Sequence, residues 1–313
     1  MESRAKAGNF GTLSYLLRRR NLITVAAMGF AGLVATALGI VGWVGSERAI
    51  HPKPQHYTWS LSNYPDLRPQ PITFPSRSHV TIAGSFFPGR KLTTVLLSHG
   101  YGDNQEQMLP YVEFLHRAGF TVMTYDMRNR GRSGGRAVTL GALEPLDLVS
   151  AVDYLTTRDD IDQNRIGALG LSLGAATTIL AAADDRRIGA VVADSSFSDA
   201  YSVISSGFQH FIGLPAFPFA TITLAFAQVR AGIDLKRVRP IDVVGRISPR
   251  PILIIHCKED RQIPPDHSQR IFNAARAPKE VWWIPTGGHI DGHVVAGPEY
   301  ERRVVDFLNQ ALR

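Results

Sequence analysis

The sequence predicts an α/β fold: a mainly parallel sheet with helices on both faces and a small helical insertion, preceded by a membrane-spanning helix. Three observations carry this. From Thr94 onward, short continuous apolar runs alternate with helical stretches, which is how strands buried on both faces read. Reactive side chains fall just past those runs, where open α/β sheets gather their chemistry. Finally, Leu22 to Val44 carries no charged residue, and as a helix it would span roughly 34 Å, enough for the hydrocarbon core of a bilayer.

With 313 residues and 44% hydrophobic composition, the chain can bury a large core, as one big domain or two small ones. The formal charge is +7, but residues 1–21 hold Arg4, Lys6, Arg18, Arg19 and Arg20 against Glu2 alone. The basic excess is therefore concentrated in a tail, and nucleic-acid binding is not expected. Cys257 is the single cysteine, so no intramolecular disulfide can form.

Residues 1–21 read as a basic cytoplasmic tail and 22–44 as an uncleaved signal anchor. Arg18, Arg19 and Arg20 precede the span while Glu47 and Arg48 cancel after it, so the positive-inside rule places the N-terminus in the cytoplasm and the rest on the outer side. Trp43 suits the far interface. Ala35-Thr36-Ala37 fits a cleavage site and Arg19-Arg20 a twin-arginine signal, which keeps secretion after cleavage as the alternative. Residues 45–70, with Pro52, Pro54, Pro65 and Pro69, read as a linker into a domain at 71–313.

Within that domain, Ile72–Phe74 and His79–Phe87 read as opening antiparallel strands. Thr94–Ser98, Phe120–Tyr125, Arg165–Leu169, Ala190–Ala193, Pro251–Ile255 and Val281–Ile284 read as the strands that follow. Helices are expected up to Ala118 and over Glu144–Thr157, Leu173–Ala183, Asp266–Arg276 and Glu299–Leu312. Residues 199–248 form an insertion expected to cap the site. Between Tyr201 and Gln228 it has no acid, lysine or arginine, and it carries Phe208, Phe211, Phe217, Phe219 and Phe226. Those rings either pack the cap onto the sheet or line an apolar acyl pocket, one that could dip into the bilayer interface. Pro215 and Pro218 argue against a second span.

Gly170-Leu171-Ser172-Leu173-Gly174 sits where an apolar strand meets an alanine-rich helix. A tight strand-to-helix turn wants glycine on both sides of the serine, lifts its Oγ above the sheet edge and aims the first helical amides, Leu173 N–H among them, at whatever that oxygen attacks. A serine nucleophile needs a base in reach and a carboxylate to hold that base in one tautomer. Ser172, Asp260 and His289 supply nucleophile, acid and base in the chain order Ser, Asp, His. Glu259 and Asp194 are competing acids, with a loop or capping hydrogen bond the expectation for Asp194. His99, His256 and His293 are expected to donate to nearby carbonyls, and Asp126 to order its own turn. No metal-binding spacing occurs, and neither metal nor cofactor is expected.

In combination these motifs resemble the α/β-hydrolase superfamily and, within it, the membrane-anchored BEM46-like serine hydrolases, over roughly Pro65 to the C-terminus. His99-Gly100-Tyr101-Gly102 is similar to the oxyanion loop, implying Tyr101 N–H as the second oxyanion donor beside Leu173. Asp126, Arg128, Gly131 and Ser133 match a structural loop of the family. Asp260 before Ile263-Pro264 matches the acid loop, with Cys257 where the family has glycine, and Gly287-Gly288-His289 matches the histidine loop. The expected activity is hydrolysis of a carboxylic ester, of a small molecule or a lipid, by a carboxylesterase or lipase-like enzyme. The alternatives are a serine peptidase of the same fold and a non-catalytic binding protein.

Overall fold

The computed structural model describes residues 7–54, 60–213 and 215–313, without the side chains of 7–14 and 209–212. Glu2, Arg4 and Lys6 of the expected tail, and the Phe211 ring, lie outside the described residues. A long helix, α1 (Ala7–Ile50), leads to β1 (Gln70–Pro75), β2 (Thr81–Phe87) and β3 (Thr94–Ser98). Next come α2 (Leu109–Arg117), β4 (Thr121–Tyr125), α3 (Glu144–Leu155), β5 (Ile166–Leu171), α4 (Leu173–Asp184) and β6 (Ile188–Asp194). The segment between β6 and β7 (Ile252–Cys257) holds α5 (Ala200–Ile212), α6 (Thr221–Ala231) and the single turn α7 (Pro240–Val243). The chain closes with α8 (Asp266–Ala274), β8 (Lys279–Ile284), α9 (Gly292–Ala296) and α10 (Pro298–Ala311).

The eight strands lie in the order β1-β2-β4-β3-β5-β6-β7-β8. β1 and β2 are antiparallel to their neighbours, and the other six run parallel. β3 and β5 are buried along their whole length, which explains their uninterrupted apolar reading. Leu96 faces a core layer under α3 and α4, while Val95 and Leu97 face a second layer under α2 and α10. The sheet is thus covered on both sides, as α/β-hydrolase folds are.

Differences from the sequence reading lie at element ends. β5 runs on to Leu171 because Gly170 and Leu171 pair with Ala193 and Asp194. β6 and β8 start two residues early, at Ile188 and Lys279, because those residues pair with Ile166 and Ile252. Strand ends follow the partner's ladder, which a single run of letters does not contain.

The largest difference is in α1. The helix does not give way to an extended linker after Val44; it continues to Ile50, which is buried. Nothing from Gly45 to His51 breaks a helix, and Pro52 is the first residue that does. Glycine lets this end approach α6: a Cβ at Gly42 would stand 2.6 Å from Ile222 Cγ2, and one at Gly45 would stand 2.5 Å from Thr223 Oγ1. Arg230 of α6 pairs with Glu47, donates to Ser46 Oγ (2.8 Å) and lies 4.0 Å over the Trp43 ring. Further up, Leu22, Ile23, Val25, Met28, Phe30 and Leu33 are all exposed. Among the described residues α1 alone is long and apolar enough to cross a bilayer. α5 and α6 are separated by one π-helical turn, Ala216–Ala220, flanked and interrupted by Pro215 and Pro218.

Candidate active site

Ser172 occupies the turn between β5 and α4 with φ +53° and ψ −115°, a backbone region that non-glycine residues rarely enter. The surroundings hold it there. A Cβ at Gly170 would lie 2.2 Å from the Gly174 carbonyl oxygen, and one at Gly174 would lie 2.1 Å from the Ser98 carbonyl oxygen. Both glycines are therefore required by close backbone approach, one within the turn and one against the end of β3. Ser172 N–H donates to the Asp194 carbonyl (2.9 Å), continuing the β6 ladder. Leu173 opens α4, so its N–H belongs to the unsatisfied amides of a helix start.

The structure brings Ser172, His289 and Asp260 together. His289 follows β8 and Asp260 follows β7. His289 Nδ1 is 2.7 Å from Asp260 Oδ2, and His289 Nε2 is 2.8 Å from Ser172 Oγ. An ionised carboxylate only accepts, so Nδ1 carries the proton and Nε2 presents its lone pair to the Ser172 hydroxyl. Asp260 is well equipped to stay ionised. Burial pushes its carboxyl up, but hydrogen bonds from His256 and His289, the electrostatic attraction of the His289 ring and the Ile263 N–H together hold it well below the ordinary carboxylate value. Its Oδ1 accepts from Gln262 and Ile263 N–H, both at 2.9 Å, which is the physical use of the residues between Asp260 and Pro264.

Neither competing acid faces His289. Glu259 accepts from Gly287 N–H (3.2 Å). Asp194 lies fully buried, where Tyr300 Oη (2.8 Å) and Ser195 Oγ (2.9 Å) donate to its two oxygens. Burial pushes its carboxyl up, only partly opposed by those two hydroxyls.

The other histidines divide. His99 Nδ1 donates to Gly100 O (2.8 Å), and Nε2 accepts from Met127 N–H (3.0 Å). Burial pushes His99 down to about 4, so it is a neutral brace between the loops after β3 and β4. His256 Nε2 donates to Ile263 O (2.9 Å). His293 departs from expectation: Nε2 meets Glu301 Oε1 at 3.2 Å, and its ring packs against Tyr111, Phe114 and Tyr300. An acidic residue one helical turn into α10 outcompetes the carbonyls there.

Asp126 accepts from Gln105 N–H (2.8 Å) and Arg132 N–H (2.9 Å). Ser133 Oγ donates back to Asp126 O, and a Cβ at Gly131 would sit 2.3 Å from the Asp126 carboxyl carbon. Arg128 pairs with buried Asp147 at 2.6 Å. Cys257 ends β7 in ordinary strand, and burial pushes its thiol up to about 12, which leaves it unreactive.

Ser172 opens into a cavity of about 270 Å³ whose lining also includes Tyr101, Leu140, Leu173, Phe197, Ile204, Phe208 and Thr223. Both expected oxyanion donors, Tyr101 and Leu173, thus border the same space as the serine. Of the insertion's phenylalanines, Phe208 lines the cavity, Phe226 packs toward Gly42, and Phe217 is 79% exposed. Gly45, Arg48 and Ala49 of α1 complete one wall. The sequence reading does not anticipate these three. The only signal for them is the lack of a helix breaker before Pro52. It also misses the Tyr101 hydroxyl, which donates to the Arg48 and Ala49 carbonyls at 3.0 Å each.

Residues 86–239 match the profile of the X-Pro dipeptidyl-peptidase (S15) family. The YfhR protein of Salmonella typhi is 30% identical over 259 residues, covering 77% of this chain and 82% of that one. Among solved structures, an esterase of Pyrococcus furiosus superposes with a TM-score of 0.71 at 23% identity, covering 84% of this chain and all of that one. An acylaminoacyl peptidase of Pyrococcus horikoshii superposes with a TM-score of 0.61 at 16% identity, over 80% of this chain and 43% of that one. With a turn built around Ser172, this sheet order and these likenesses, the chain belongs to the same family as YfhR and has the α/β-hydrolase fold.

Proposed function

We propose that the protein is a membrane-anchored serine hydrolase of carboxylic esters, a member of the anchored subgroup its sequence resembles. The observation that carries this reading is the continuous hydrogen-bonded path from Asp260 through His289 to Ser172 Oγ at the foot of an apolar cavity. His289 Nε2 takes the hydroxyl proton as Ser172 Oγ attacks the ester carbonyl carbon, and Asp260 holds the resulting imidazolium. The Tyr101 and Leu173 N–H groups stabilise the oxyanion, a donor of this kind contributing about 3 kcal/mol. The alkoxide departs with the proton from His289. Water, deprotonated by the same nitrogen, then releases the acid and restores Ser172.

The peptidase alternative draws on the family profile and the acylaminoacyl peptidase likeness. An enzyme that removes dipeptides must hold the protonated amine of its substrate, and none of the described residues lining the cavity is acidic. That favours esters. Location follows from α1: Arg18, Arg19 and Arg20 before the apolar stretch support a cytoplasmic N-terminus with the hydrolase domain outside. Secretion after cleavage is the competing reading.

The test uses the full chain in detergent, a fluorophosphonate probe and p-nitrophenyl butyrate. Ser172→Ala is expected to abolish both labelling and hydrolysis. Labelling of the variant at the wild-type rate overturns the assignment, and faster turnover of alanyl-prolyl p-nitroanilide than of the ester moves the reading to peptidase.

A further inference from the structure

We propose that the last two turns of α1 are a specificity-determining wall of the acyl pocket, and that the substrate is an ester of a medium-length acyl chain. This rests on the serine-hydrolase reading above. Gly45, Arg48 and Ala49 recur at the three- and four-residue spacing that puts side chains on one helix face, and all three border the cavity that contains Ser172. Ile204 and Phe208 of α5 border it from the insertion.

The helix end is built into the domain rather than tethered to it. Tyr101, whose N–H is a proposed oxyanion donor, ties its hydroxyl to the carbonyls of Arg48 and Ala49, which a helix C-terminus otherwise leaves unsatisfied. Val138 N–H donates to Ile50 O (2.9 Å) and Arg130 to Pro52 O (2.8 Å). The same helix that would cross the bilayer therefore reaches the loop beside the nucleophile.

Size and chemistry select the ligand. A volume of about 270 Å³ lies at the lower edge of the ~300 to 1,000 Å³ of small-molecule sites. So small a space, lined mainly by apolar side chains, suits one unbranched acyl chain of modest length rather than a branched or two-chain lipid. Exposed apolar residues line α1 above the cavity, and Phe217 stands exposed on the turn that packs against α1. A chain leaving the bilayer along this helix arrives at the cavity without crossing open water.

The experiment measures kcat/KM for p-nitrophenyl acetate and octanoate with the full chain reconstituted in phosphatidylcholine vesicles. Ala49→Trp fills the wall and is expected to lower the octanoate-to-acetate ratio at least about tenfold, the scale on which pockets discriminate by methylenes. Phe208→Ala widens the opposite side and is expected to move the preferred chain length upward. Gly32→Leu, placed where nothing lies within 4 Å, is expected to leave the ratio unchanged. If the wild-type chain takes up fluorophosphonate at Ser172 but neither Ala49→Trp nor Phe208→Ala moves the ratio, the inference alone is overturned. If Ser172 takes up no probe, the serine-hydrolase reading falls and takes the inference with it.

Discussion

Two carboxylates near the site differ in their surroundings, and the difference assigns them different work. Asp260 accepts from imidazole and backbone N–H groups, which stabilise its charge; Asp194, fully buried, accepts from two neutral hydroxyls, with the His256 and His289 imidazoles acting on it only at a distance. Because burial raises the Asp194 carboxyl, the folded state favours its protonated form more than the unfolded chain does. The stabilising contribution is present below the ordinary carboxylate value of ~3.9 and is lost as pH rises through the raised folded value. Asp194→Asn removes the charge while both hydroxyls keep a partner. It is expected to raise the melting temperature at pH 8, by about 2–4 °C for each kcal/mol recovered in a domain of this size, with the gain shrinking toward zero at pH 4. Thermal melts at both pH values check this. An equal loss at the two values would mean that the carboxylate is stabilising as an anion.

At the level of elements, the packing of α1 on α6 depends on missing side chains. Gly42→Leu places atoms where Ile222 Cγ2 and Phe226 Cδ2 already stand, at 2.6 and 2.8 Å from the new Cβ, and overpacking of this kind typically costs ~1–3 kcal/mol. The expected result is a lower melting temperature and a weakened octanoate preference, whereas Gly39→Leu, with nothing within 4 Å, changes neither. The same contact shows what the sequence could reveal. Gly170 before Ser172 and the spacing of Asp126, Gly131 and Ser133 record contacts made within a few residues, so the letters announce them, while Gly174 is announced by the same turn motif although its close approach is to Ser98 on β3. Ser172, Asp260 and His289 are distant in sequence, yet each follows a strand, and the parallel topology alone collects them. Contacts of Gly42, Gly45 and Tyr101 with distant partners obey no such rule. Glu47 and Arg48 mark where the apolar run of α1 ends, but only the packed structure shows that the helix continues through them to Ile50 and lies against the domain. Strand ends were hidden for a related reason, since pairing with a neighbour decides them.

For the whole molecule, the exposed apolar surface of α1 and its junction with the insertion define one geometry relative to a bilayer. Leu22 to Val41 is mainly apolar and exposed, apart from the half-buried Leu38, Gly39 and Val41, over about 30 Å of helix, a length that matches a hydrocarbon core. Trp43, 55% exposed, would then stand at the depth where indoles anchor, with Arg230 over its ring. On the proposed anchored reading, the insertion would lie against the headgroups on the side away from Arg18, Arg19 and Arg20. A single-cysteine reporter reads this directly, because Cys257 is buried and stays silent to an impermeant maleimide. In right-side-out membrane vesicles, Ser62→Cys is expected to label without lysis and Tyr15→Cys only after it, with the chain resisting alkaline carbonate extraction. The reverse labelling pattern would invert the orientation. Release of a shortened chain beginning near Leu38 would replace the anchor with a cleaved signal, and the hydrolase domain would then act away from the membrane that α1 is shaped to meet.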